Sequence, residues 1–189
     1  MSTVVIVPGL HDSGAQHWQT CWQRRLGAEG VAVQRVQQAR WDEPDLERWA
    51  ERVCATVAAA GPSWLVAHSF GCLASVQALP DIEALVRGIL LVAPADPDKF
   101  GIADQLRADA LPVRALMVAS LSDPWLSWAQ ASEWAERWRI PVLSAGYAGH
   151  INAESGHGDW REGWSLFRQF RQRGPLHAML PQGYLPLAV

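Results

Sequence analysis

No run of like charge appears anywhere in the sequence, and no apolar stretch approaches the roughly 18 residues that span a bilayer. The formal net charge is −3 over 189 residues, with no cluster of Lys and Arg. Neither nucleic acid nor an anionic membrane is therefore expected as a partner. The chain does not open on a basic segment followed by a long apolar one, so no secretory signal is expected. Cysteine is scarce: Cys21, Cys54 and Cys72 are odd in number and unpatterned in spacing. They read as free thiols in a reducing compartment, which implies a cytoplasmic protein. No Cys or His pair at ligand spacing is backed by a second pair, so no metal site is expected. Neither G-x-G-x-x-G nor the phosphate-binding loop with its lysine occurs, and no nucleotide or other cofactor is implied. Internal repeats, low-complexity segments and linkers are also missing, so residues 1–189 read as one domain.

Hydrophobic residues make up 49 % of the chain and charged residues 19 %, enough apolar material to bury a full core. Tryptophan is over-used, with 11 copies. Most of these rings are expected in the core. Trp18 and Trp125, near loop positions after strands, are candidates for lining an apolar substrate pocket.

Short apolar runs alternate with longer amphipathic stretches. Thr3 to Val7 is continuously apolar, as in a strand buried on both faces. Gln16 to Ala28 carries Trp18, Cys21, Trp22 and Leu26 at helical spacing. Val31 to Val36 is a second strand. Pro44 and Asp45 open a helix that runs through Ala59 and stops at Gly61-Pro62. Further strands are expected at Trp64 to Ala67, Gly88 to Val92, Val113 to Ala119 and Val142 to Ala145. Helices are expected at Phe70 to Leu79, Ser127 to Arg137 and Trp160 to Arg173. The segment 174–189, with its prolines and no period, reads as coil packed on the body. Strands alternating with helices imply βαβ units, a parallel sheet and ligand binding beyond the carboxyl ends of the strands.

The chemistry-bearing residues stand at those ends. Ala67-His68-Ser69-Phe70-Gly71 matches the G-x-S-x-G nucleophile elbow, with Ala in place of the first Gly. Small residues are needed there because strand and helix backbones nearly touch. The turn lifts Ser69 above the sheet and frees the Phe70 N–H for an oxyanion. His68 is expected to point into the fold and serve structure. A serine needs a base and the base an orienting acid, and in this arrangement they follow in the order acid, then histidine. Asp123, after the fifth strand, is the acid candidate, with Asp96 and Asp98 as runners-up. His150, after the sixth strand and preceded by Gly149, is the base candidate. His157 is expected on the rim of the loop. The loop after the first strand, with Gly9, offers the Leu10 N–H as a second oxyanion donor.

Val7-Pro8-Gly9, His17-Trp18-Gln19, Ala67-His68-Ser69-Phe70-Gly71, Ser122-Asp123-Pro124 and Gly149-His150-Ile151-Asn152-Ala153-Glu154-Ser155-Gly156 together resemble the small serine hydrolases related to retinoblastoma-binding protein nine. The resemblance runs from about residue 3 to residue 170. It implies a compact three-layer α/β-hydrolase fold, with a roughly six-stranded parallel sheet, helices on both faces and no large cap domain. It also implies nucleophile, acid and base at Ser69, Asp123 and His150, and esterase or peptidase-like hydrolysis of small substrates. The Leu-x-Cys-x-Glu motif of retinoblastoma binding does not occur, so that partner is not implied. The expected activity is cleavage of small carboxylic esters, thioesters or amides through an acyl-enzyme. The alternative is a binding module on the same scaffold with little turnover.

Overall fold

The computed structural model describes residues 2–172, so the expected coil at 174–189 lies outside the described residues. Six strands form one all-parallel sheet: β1 (Thr3–Val7), β2 (Val33–Arg35), β3 (Ser63–Ser69), β4 (Val86–Pro94), β5 (Ala115–Ala119) and β6 (Val142–Ser144). Their order is β2-β1-β3-β4-β5-β6. The chain builds outward from β1 to β2, crosses back to β3, and then adds strands on that side. The strand order reverses between β1 and β3, where doubly wound sheets bind ligands.

Five helices cover the sheet: α1 (Trp18–Ala28), α2 (Leu46–Ala60), α3 (Phe70–Ile82), α4 (Trp128–Arg137) and α5 (Arg161–Arg171). Alternation along the strands decides which helix meets which face. Val5, Val7, Leu65, Ala67, Ile89, Leu91 and Met117 enter one core with residues of α2, α3 and α4. Val4, Ile6, Val66, Leu90, Val92 and Val118 enter the other with Trp18, Trp22 and Leu26 of α1 and Trp164, Phe167 and Phe170 of α5. The central strands carry continuous apolar runs, residues 64–67 in β3 and 89–93 in β4, because both faces are covered. At about 1.5–3 kcal/mol for each fully buried large aliphatic side chain, these two layers dominate the favourable side of folding. No additional domain interrupts the alternation among the described residues. Between β4 and β5 the chain makes only turns and a short 3₁₀ helix, Asp98–Phe100.

Local chemistry sets the boundaries. His17 Nδ1 accepts from Gln19 N–H, so α1 begins at Trp18 rather than at Gln16. Asp45 caps α2 by accepting from Arg48 N–H, and Ser127 and Gln130 form a capping box on α4. Helix α3 runs through Pro80 to Ile82, three residues past the expected end. The proline sits in the last turn and costs a single N–H donor, while Ile82 stays buried in the core.

Candidate active site

Strand β3 ends in a backbone that few side chains tolerate. Ser69 has φ 54° and ψ −127°, and the β3–β4 register shifts at His68/Ser69. This bulge and left-handed φ turn the chain sharply into α3 and raise Ser69 over the sheet edge. Gly71 explains the small-residue requirement quantitatively. A Cβ there would lie 2.4 Å from the Pro8 carbonyl oxygen and 2.6 Å from that of Val7. The start of α3 therefore rests directly on the end of β1, and Ala67 is fully buried on the other side of the turn.

Three residues from three strand ends meet here. Ser69 Oγ lies 3.0 Å from His150 Nε2, and His150 Nδ1 lies 3.0 Å from both carboxylate oxygens of Asp123. The carboxylate accepts from Nδ1–H, which leaves Nε2 to accept from the Ser69 hydroxyl. The Asp123 side chain is only 2 % exposed, and its Oδ1 also accepts from Trp125 N–H at 2.9 Å. The runners-up are occupied elsewhere. Asp96 accepts from Gln130 Nε2 and from Asp98 N–H, and neither aspartate bonds a histidine among the described residues. His157 pairs with the Ser155 hydroxyl, and its carbonyl accepts from Trp18 N–H, so it belongs to the loop wall.

The chain after β1 passes close against the serine. A Cβ on Gly9 would stand 2.6 Å from Ser69 Cβ, which brings the next peptide to the nucleophile. Leu10 N–H makes no hydrogen bond among the described residues, and Phe70 N–H, in the first position of α3, has no intrahelical acceptor. Both donors flank Ser69, on either side of the β1/β3 reversal.

A cleft of about 370 Å³ opens over Ser69, with Leu10, Ala95, Phe100 and Trp125 as its apolar lining. Trp125 is half-exposed on the rim, and the Lys99 ammonium donates to the Pro124 and Trp125 carbonyls beneath it. Trp18 does not line the cleft as expected. It is fully buried and its indole N–H donates to the Ile151 carbonyl at 2.8 Å. As the first residue of α1 it turns inward with the stripe of Trp22 and Leu26, and helical spacing overrides its nearness to the β1 loop.

His17, which in the sequence stands out only as part of the His17-Trp18-Gln19 motif and not as a site candidate, also lines the cleft. Burial, aided by Arg35, pushes its pKa down to about 3. His68 is more deeply buried, and desolvation, with His17 and His150 beside it, holds it well below the usual histidine range. Both rings are thus neutral near pH 7, and neither opposes a positive charge forming on His150. Gln19 ties the sheet together at this point, donating to the Val7 and Val66 carbonyls. Among the described residues no group of three His, Cys, Asp or Glu is arranged to hold a metal ion. No helix is long and apolar enough to cross a membrane.

Comparison with known proteins extends this picture. No curated protein matches the chain. Among solved structures, a chain described as a YdeN-like hydrolase from Pectobacterium atrosepticum is 37 % identical, with a TM-score of 0.85. The match covers 96 % of this chain and 94 % of that one. The ydeN gene product of B. subtilis is 21 % identical with a TM-score of 0.74, over 92 % of this chain and 100 % of that one. Est1E from Butyrivibrio proteoclasticus, with ferulic acid bound, is 12 % identical with a TM-score of 0.68, over 92 % and 90 % of the two chains. These last two likenesses are of fold. The family model described as serine hydrolase matches residues 4–169, a span that includes every strand apart from Thr3 of β1 and every residue of the cleft. The chain belongs to the serine hydrolase family and is an α/β-hydrolase-fold enzyme.

Proposed function

We propose that this serine hydrolase cleaves small carboxylic esters, thioesters or amides through an acyl-enzyme on Ser69. The observation that carries the reading is the unbroken hydrogen-bonded line from Asp123 through His150 to Ser69 at the floor of the cleft. A serine hydroxyl becomes a competent nucleophile when a base takes its proton as the oxygen attacks. His150 Nε2 accepts that proton, and Asp123 keeps the ring in the required tautomer and stabilises the imidazolium. The Leu10 and Phe70 N–H groups receive the negative charge that develops on the carbonyl oxygen. His150 then returns the proton to the leaving group, and a water activated by the same nitrogen releases the acid.

The cleft volume and its Leu10, Ala95, Phe100 and Trp125 lining favour a small, apolar acyl group. Substrates are accordingly small molecules rather than nucleic acid or lipid surfaces. The three free cysteines fit a reducing compartment, so the reading includes a cytoplasmic location.

A fluorophosphonate tests the reading directly, because an activated serine attacks phosphorus as it attacks carbonyl carbon. Intact-mass analysis is expected to show one adduct on the native chain and none on Ser69→Ala. Labelling at another residue, or none on the folded native protein, favours a binding module on this scaffold instead.

A further inference from the structure

The loop that carries His150 is held in a shape the chain would not adopt unaided. Gly149 has φ +56° and Ile151 has φ +46°, so the histidine sits between two left-handed residues. At Ile151, a β-branched residue, this conformation is a true outlier. Glycine is obligatory at 149 on a second ground, since a Cβ there would stand 2.8 Å from Ser155 Cβ.

Four successive residues around His150 each have one backbone group tied down by a side chain from another part of the fold. Ala148 N–H donates to Ser120 Oγ at 2.9 Å, and Gly149 N–H to Ser122 Oγ at 3.1 Å. The His150 carbonyl accepts from His68 Nε2 at 3.0 Å, and the Ile151 carbonyl from Trp18 Nε1 at 2.8 Å. Because a carbonyl only accepts, the His68 contact fixes that ring with its proton on Nε2. The holders come from three places: the loop that carries Asp123, the residue before Ser69, and the start of α1. Ser120 is fully buried and also receives Ser122 N–H, so the two serines join the acid loop to the base loop as one unit. None of the four touches the Ser69 oxygen or the cleft-facing nitrogen of His150. They act on where His150 stands.

We propose that Trp18, His68, Ser120 and Ser122 are positioning residues, which clamp the backbone of residues 148–151 so that His150 bridges Ser69 and Asp123. The inference rests on the reading of Ser69 and His150 as nucleophile and base. With the clamp intact, Nε2 is delivered to the serine already oriented. With one holder removed, the backbone relaxes toward ordinary dihedrals and Nε2 leaves the line, while Leu10, Ala95 and Phe100, which line the cleft from other loops, stay where they are. Loss therefore falls on kcat rather than KM.

The test compares removal with conservative replacement at two sites of different burial. His68→Leu and Ser122→Ala delete the donor and the acceptor. His68→Gln keeps an amide N–H at about the reach of Nε2, and Ser122→Thr keeps the hydroxyl. Kinetics on p-nitrophenyl acetate, normalised to sites titrated with fluorophosphonate, are read alongside thermal unfolding, with Ser69→Ala as background. Both removal variants are expected to lose at least about tenfold in kcat with KM held within about threefold. Both conservative variants are expected to recover most of that loss. Ser122 is exposed, so Ser122→Ala keeps the test decisive even if His68→Leu does not fold. Native kcat in folded removal variants, with Ser69→Ala inactive, overturns the inference alone. A conservative variant that falls as far as its removal partner also overturns it, because the hydrogen bond is then irrelevant. Full activity in Ser69→Ala removes the underlying reading and the inference with it.

Discussion

Gly9→Ala isolates the close approach between the β1 loop and the nucleophile. The added methyl would lie 2.6 Å from Ser69 Cβ, 3.1 Å from the His68 carbonyl oxygen and 3.2 Å from Ser69 Oγ. Gly9 is not among the residues with positive φ, so alanine meets no conformational barrier there and the effect is purely steric. Ordinary contact begins near 3.4 Å, so the loop and the serine must separate by ~0.8 Å. Two neighbouring contacts must also yield, and they belong to backbone and nucleophile rather than to a flexible tip. A displacement of this size moves Leu10 N–H and Ser69 Oγ apart, when an oxyanion needs its donors within about 2.7–3.1 Å. Misplacement approaching 1 Å costs about a hundredfold in rate, equivalent to ~2.7 kcal/mol of transition-state stabilisation. Overpacking is expected to take about 1–3 kcal/mol from folding stability. Steady-state hydrolysis of a small activated ester, with urea unfolding beside it, separates the two effects. Gly27→Ala is the matched control: it lies in α1 with open space around its Cβ, and is expected to leave kcat intact. Native kcat in folded Gly9→Ala would refute the argument, since it would mean that the β1 loop need not lie against Ser69 during the reaction.

Asp123→Asn is expected to lower kcat by about 10⁴-fold with KM little changed, whereas Asp96→Asn stays within a few-fold; the reverse ranking in steady-state kinetics would move the acid to the loop after β4. Gly71→Ala is expected to damage the fold itself, because the clash at 2.4 Å is with the Pro8 backbone, and a native melting temperature would contradict that contact. Stability is expected to fall in acid through His17. Its folded pKa of about 3 lies below the 6.5 of an unfolded histidine, so the unfolded chain binds the extra proton between those values. The contribution is complete above pH 6.5 and is lost as pH falls toward 3, to a total on the order of 5 kcal/mol. His17→Asn, which keeps a cap on α1 but cannot titrate, is expected to flatten the decline between pH 7 and pH 4, and parallel unfolding curves for the two proteins would exclude His17 as the cause.

The architecture was legible because parallel strands buried on both faces leave continuous apolar runs, and the elbow pattern sits between such a run and a helix. The three residues that meet in the cleft, Ser69, Asp123 and His150, were visible as candidates because each stands at or within a few residues of a strand's carboxyl end, and the sheet brings strand ends together. Trp18 was misjudged although its own stripe, shared with Trp22 and Leu26, already assigned it to a helix face. Its position just after the β1 loop suggested proximity to substrate, but the His17 cap turns the indole inward. The clamp was not legible for a different reason. Ser120 and Ser122 meet their partners 28 and 27 residues away, His68 meets His150 82 residues away, and Trp18 meets Ile151 133 residues away. Nothing in local pattern encodes such pairings. The only trace was a pair of serines crowded against Asp123 and a His-Trp-Gln run whose three side chains each bond to a different backbone group.

Six residues other than glycine carry positive φ among those described: His11, Asp12, Ser69, Ala93, Arg139 and Ile151. All except Arg139 lie at the carboxyl edge of the sheet, in or beside the loops that follow β1, β3, β4 and β6. Unfavourable dihedral energy is therefore concentrated on one rim, and the opposite, more relaxed rim carries only Arg139 of the six. Adaptation to higher temperature is accordingly easiest on the relaxed rim and in the two cores, where substitutions meet ordinary rules of packing. On the strained rim, a glycine that relieves an awkward φ also frees the segment that the awkward φ was aiming. Selection for heat resistance alone would erode catalysis from that rim first, and a screen that scores only melting temperature would discard the geometry that makes this chain an enzyme.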